Sequence, residues 1–137
     1  MKKYFLIYLM IQGFFLYSEI LSPCPLKRNC VCSCSDSPIY YIAPFDLLGG
    51  LNVSMEKLQK ALLDFPRVRL IKVDENYIHA EFTTLIFRFV DDVEFLYNPQ
   101  KNVIDVRSAS RVGYSDLGVN RARVEKIRSE YLKHEFE

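Results

Sequence analysis

Val106-Arg107-Ser108-Ala109-Ser110-Arg111-Val112-Gly113-Tyr114-Ser115-Asp116-Leu117-Gly118-Val119-Asn120-Arg121 joins a strand-like run to a helix-like one, and the fold is read outward from this corner. Val103–Ser110 alternates apolar and polar residues, the period of a half-buried strand. From about Gly118 to Asn120 onward the period changes. Val124, Ile127 and Tyr131 share one helical face, with Glu125, Lys126, Arg128 and Glu130 elsewhere. The glycines, hydroxyls and Asp116 between them supply a chain reversal.

Upstream lie three more strand-like runs, Val68–Val73, Tyr77–Thr84 and Phe87–Tyr97. They are separated by the turn residues Asp74-Glu75-Asn76, a short link, and Asn98-Pro99-Gln100-Lys101-Asn102. Connections this short imply antiparallel neighbours. Ile78, Ala80, Phe82, Phe89, Val93, Phe95, Ile104 and Val106 read as the apolar face. His79, Glu81, Arg88, Asp92, Glu94, Asp105, Arg107 and Arg111 read as the polar one, where Asp92 and Glu94 can meet Arg107 and Arg111. Asp91 shares parity with Phe89 and Val93, so it needs either a buried partner or a bulge that turns it outward.

Before the strands, residues 35–53 read as an ordered, irregular lead-in. Ser54 reads as the N-cap of a helix whose apolar face is Leu58, Ala61, Leu62 and Phe65, ended by Pro66. The expected architecture is α+β: a four-stranded antiparallel sheet with helices packed on one face, preceded by an irregular Cys-containing N-terminal segment.

The 137 residues read as one domain, 24–137, behind a distinct leader, 1–23. Lys2 and Lys3 precede an uncharged apolar run, Tyr4 to Tyr17. This segment fits an export signal, a lipoprotein signal with Cys24 as acceptor, or a retained membrane anchor, with a buried apolar helix as the alternative. The first three place the domain outside the cytoplasm, in the cell envelope or on a membrane. Without residues 1–23, 16 of the 18 basic and 16 of the 17 acidic residues remain. A neutral domain has no long-range field for nucleic acid, which argues against that partner.

Cys24, Cys30, Cys32 and Cys34 lie within eleven residues. Cys-x-Cys spacing without a nearby histidine argues against zinc. Disulfides fit an oxidising compartment. Cys24–Cys32 with Cys30–Cys34 avoids a tight Cys-x-Cys ring, while Cys24–Cys30 alone leaves two thiols.

Three function readings follow. Arg121 and Arg123 sit in the first turn of the last helix, against its dipole, and call for something negative. Asp91, Asp105 and Asp116 can answer this internally. Alternatively, Arg107, Arg111, Tyr114, Arg121 and Arg123, oriented by Asp91, Asp92 and Asp116, form a non-catalytic site for an anionic small molecule, a lipid headgroup or an envelope protein. The second class is a hydrolase or transferase. His79 would be base or metal ligand, Glu81 and Asp92 acids, and Ser108 or Ser110 the nucleophile. No motif for a cofactor, a nucleophile elbow or a phosphate loop is present. A cysteine-based redox or metal-delivery role is the third and weakest reading.

Phe89-Val90-Asp91-Asp92-Val93-Glu94-Phe95, the corner stretch, Tyr77-Ile78-His79-Ala80-Glu81-Phe82, Cys24-Pro25 and Asn29-Cys30-Val31 together resemble the family known as domain of unknown function 1499. The resemblance implies an α+β domain, usually exported or membrane-associated, found in bacteria and plastid-bearing organisms, with no established activity. Lys27-Arg28 stand where the family usually has Ser-Pro. Cys32 and Cys34 replace small polar residues, which sets them outside any family-wide mechanism.

Overall fold

The computed structural model describes residues 21–134. The leader reading falls mostly on residues 1–20, outside that range. Six strands, β1 (Cys30–Cys32), β2 (Phe45–Asp46), β3 (Val68–Val73), β4 (Tyr77–Thr83), β5 (Val90–Asn98) and β6 (Val103–Ser110), form one antiparallel sheet. Helices α1 (Leu51–Leu63) and α2 (Val119–Lys133) complete the α+β fold. The order is β1-β6-β5-β4-β3, and β2 also pairs with β6.

The sheet has six strands where the sequence pattern predicts four. Its two extra members are three and two residues long, too short to show a period. They share the outer edge of β6: β1 runs against Arg107–Ala109, and β2 against Val103 and Ile104. Covering that edge satisfies its backbone groups.

The core lies between one sheet face and the helices. Leu58 and Leu62 of α1 and Val124, Ile127 and Tyr131 of α2 are fully or almost fully buried against Ile78, Phe95 and Ile104. Burial of Val124 and Ile127 contributes about 2 kcal/mol each. Phe45 stands edge-on to Phe95, centroids 5.4 Å apart, and to Tyr131 at 5.6 Å, which fixes β2 under α2. Arg128 stacks over the Phe45 ring and donates to the carbonyls of Ala43 and Pro44.

Ser54 is not an N-cap. The helix starts at Leu51, behind Gly49 with its positive φ of 88° and Gly50. Ser54 is buried one turn in, where its hydroxyl donates to Gly50 O and accepts from Leu48 N–H. β5 begins at Val90 rather than Phe87. Phe89 therefore leaves the apolar face, half exposed in a loop and stacked on Phe87, and Arg88 leaves the polar face with a φ of 57°. The register of β5 is continuous through Asp91, so there is no bulge there and its side chain points to the helix side.

The disulfides are Cys24–Cys30 and Cys32–Cys34, so the pairing that avoids a Cys-x-Cys ring is not the one formed. Pairing of β1 with β6 sets Cys30 and Cys32 two residues apart on the same sheet face. Cys30 is bridged to the segment before β1 and Cys32 to the turn after it. A turn after β1 folds Cys34 back on Cys32, with Ser35 N–H on Cys32 O. The Cys24 sulfur is used in its bridge, so a lipid thioether at Cys24 and this disulfide are mutually exclusive. The stapled segment lies across part of the sheet face away from the helices, where Leu21 and Cys32 pack on Leu96. Among the described residues no helix is long and apolar enough to cross a membrane.

Candidate functional site

The structure distributes the corner residues over three places. On the sheet face away from the helices, Arg111 makes a two-pronged contact with Asp92, Nε to Oδ2 at 2.7 Å and Nη2 to Oδ1 at 2.8 Å, and reaches Glu81 at 2.5 Å. Arg69 closes on the other oxygen of Glu81 at 2.8 Å. The two arginines hold the Glu81 carboxyl below its ordinary range, and Arg111 does the same for Asp92, aided by His79. The guanidinium of Arg111 is correspondingly harder to deprotonate. His79 Nε2 lies 2.8 Å from Asp92 Oδ1. Glu94 accepts from Tyr77 at 2.6 Å and faces Arg107 at 3.6 Å. This is the cross-strand pairing that alternation predicts.

On the helix side, Asp91 is 3% exposed and paired with Arg123 of α2. Arg123 also donates to Asn120 Oδ1 at 2.7 Å, and the same oxygen accepts from Ser108. Asn120 Nδ2 lies within 3.0 Å of Asn29 O, Ser110 Oγ and Asp116 Oδ2. Asp116 takes the N–H groups of Gly118 and Asn120, which caps the helix start. Ser108 and Ser110 therefore sit in this network, on the opposite sheet face from His79, and do not combine with it.

The third place is a groove of about 470 Å³ at the corner, lined by Ser115, Asp116, Leu117, Gly118 and Arg121 on one side and Arg28 and Cys30 on the other. The main chain of residue 28 is tied to the corner by Asp116 N–H on Arg28 O at 3.1 Å. Leu117 and Gly118 both take left-handed backbone, φ 54° and 83°, to turn the chain into α2. Arg121 donates to the carbonyl of Tyr41 at 2.8 Å. Among the described residues neither Arg121 nor Arg28 has a carboxylate partner, in contrast to Arg107, Arg111 and Arg123. Tyr114 is exposed at the same corner.

Three residues that organise these places are absent from the sequence-based set: Asn29, Asn120 and Arg28. Asn120 had a legible signal, since it falls one turn before Val124 on the buried face of α2. Arg28 had none, because only tertiary pairing brings it to the corner. Among the described residues, no group of three His, Cys, Asp or Glu side chains could hold a metal ion.

A stapled antiparallel sheet, two covering helices and a charged strand-to-helix corner define the class. The chain belongs to the family described as protein of unknown function, DUF1499, whose model matches residues 20–131. A comparison with curated proteins gave no match.

Proposed function

We propose that this protein is a binding module for a small anionic group, taken up in the corner groove between Arg28 and Arg121, in a domain that works outside the cytoplasm. One observation carries the reading: Arg28 and Arg121 line one groove, and among the described residues neither is paired with a carboxylate. The other corner arginines are matched internally, so an anion would have to displace an existing ion pair to reach them. Ser115 supplies a hydroxyl beside the groove, and Asp116 has its oxygens occupied by helix N–H groups. The compartment is supported by two disulfides within eleven residues. The test is calorimetric titration of the full chain in neutral detergent with inorganic phosphate at low salt. Arg121→Gln and Arg28→Gln should each weaken binding about tenfold, the worth of one charge-assisted hydrogen bond. Unchanged affinity in both variants removes the proposal.

A second reading draws on His79. With the Asp92 carboxylate as acceptor, its Nε2 carries the hydrogen and Nδ1 is the basic nitrogen. His79 lines a groove of about 590 Å³ with Tyr77, Glu94 and Leu21. A histidine held by a carboxylate beside a groove is one part of what a general base needs, and it supports the hydrolase or transferase class. If His79→Gln complements a deletion strain fully, this reading is lost.

A further inference from the structure

Beyond the groove, the same end of the sheet carries an apolar tip. Thr83 pairs with Val90 at the last rung of β4 and β5, β6 ends opposite Asp91, and Val68 opens β3 beside Phe82. The 84–89 loop, the 111–118 corner and residues 66 and 67 therefore emerge together. Leu85, Ile86 and Phe87 are 66, 79 and 73% exposed, Phe89 is 48%, and Leu117 is 95%. The core takes none of these side chains.

The tip has a defined shape. Thr84 and Phe89 close the loop through two hydrogen bonds, Thr84 N–H to Phe89 O and Phe89 N–H to Thr84 Oγ1, each 2.9 Å. Phe87 and Phe89 stack with centroids 5.5 Å apart. Leu85 and Val119 share a depression with Arg67 and Lys126, so loop and corner form one surface. Arg67, Arg88 and Lys126 have no carboxylate partner among the described residues. Arg67 donates instead to Thr83 O, and Lys126 lies over the Phe65 ring.

We propose that this tip docks on an anionic bilayer surface, with Leu85, Ile86 and Phe87 entering the headgroup layer and the surrounding cations meeting lipid phosphates. An exposed apolar loop flanked by Arg67, Arg88 and Lys126, none with a carboxylate partner among the described residues, is complementary to a flat, negatively charged interface. A second copy fits it poorly, because tip against tip brings like charges together. The proposal does not depend on anion binding in the groove.

The chain has no tryptophan, so Phe87→Trp in the full chain makes a unique reporter at the tip. Val53→Trp, at the start of α1 and the other end of the molecule, is its control. With vesicles of mixed phosphatidylglycerol and phosphatidylcholine carrying brominated acyl chains, Phe87→Trp emission should shift to the blue. It should also be quenched at least twofold more than that of Val53→Trp. Adding Leu85→Ser and Ile86→Ser, or Arg67→Gln and Arg88→Gln, should remove the difference, whereas Arg121→Gln should leave it. Equal quenching at the two positions overturns the proposal. So does equal quenching by pure phosphatidylcholine, or a blue shift that follows protein concentration without lipid.

Discussion

Asn120, in the first turn of α2, donates from Nδ2 to the carbonyl oxygen of Asn29, 3.0 Å away in the disulfide-stapled segment. Through this side chain the strand-to-helix corner and the N-terminal staple become one unit. Asn120 is fully buried and its two polar atoms serve Ser108, Ser110, Asp116 and Arg123 as well. Asn120→Leu keeps the branching of the side chain, is larger, and strands these partners. It should cost about 3 kcal/mol, since each buried group left without a partner costs about 1–3 kcal/mol. Urea unfolding of the variant measures this; a loss below about 1 kcal/mol would show that the network carries little.

Asp91 and Arg123 form a pair with side chains only 4% and 10% exposed. Removing one partner leaves a buried charge. Asp91→Asn or Arg123→Met alone should therefore cost about 3–5 kcal/mol. The double variant should cost clearly less than the sum, and additivity within about 0.5 kcal/mol would mean that the two do not interact.

Much of this architecture was legible. β3 and β6 keep the bounds read from the sequence, and α2 starts where the period changes. The parity of Asp91 leaves a buried partner or a bulge open, and it is the partner, Arg123 of α2, that forms. What escaped detection depends on long-range pairing. β1 and β2 exist because β6 offers them an edge, and Arg28 reaches the corner only because β1 runs back along β6. Phe89 has the parity of a core residue but lies beyond the last rung of the sheet, which local alternation cannot reveal. Of the eight residues grouped by charge as one site, Arg121, Asp116 and the exposed Tyr114 remain at the corner, while the ion pairs of Asp91, Asp92, Arg107, Arg111 and Arg123 hold them elsewhere.

The staple makes a covalent prediction. Digestion of unreduced, alkylated protein should yield Cys24–Cys30 and Cys32–Cys34 fragments. A Cys24–Cys32 linkage would contradict the way β1 presents its two sulfurs. Replacing Cys24 and Cys30 by serine should cost about 2 kcal/mol through loop-closure entropy, read as a lower urea midpoint.

Stability should fall in acid for a specific reason. Asp92 and Glu81 titrate below their ordinary values of 3.8 and 4.5, because Arg111 and Arg69 bind their charged forms. The stabilisation they give is full above those ordinary values and is lost as pH falls through the lowered folded ones. Thermal unfolding from about pH 5 down to about pH 2 should show this loss. Arg111→Gln should flatten that acid limb, and an unchanged limb would assign it to other carboxylates.

The groove itself is read most directly by nitrogen–proton correlation spectra of the full chain in neutral detergent, titrated with inorganic phosphate. Binding between Arg28 and Arg121 predicts saturable shifts at the Ser115 and Gly118 amides and at Arg121 Nε, with little change at Arg111 or His79. Shifts confined to the His79 and Arg111 face, or none that saturate at the corner, would contradict it.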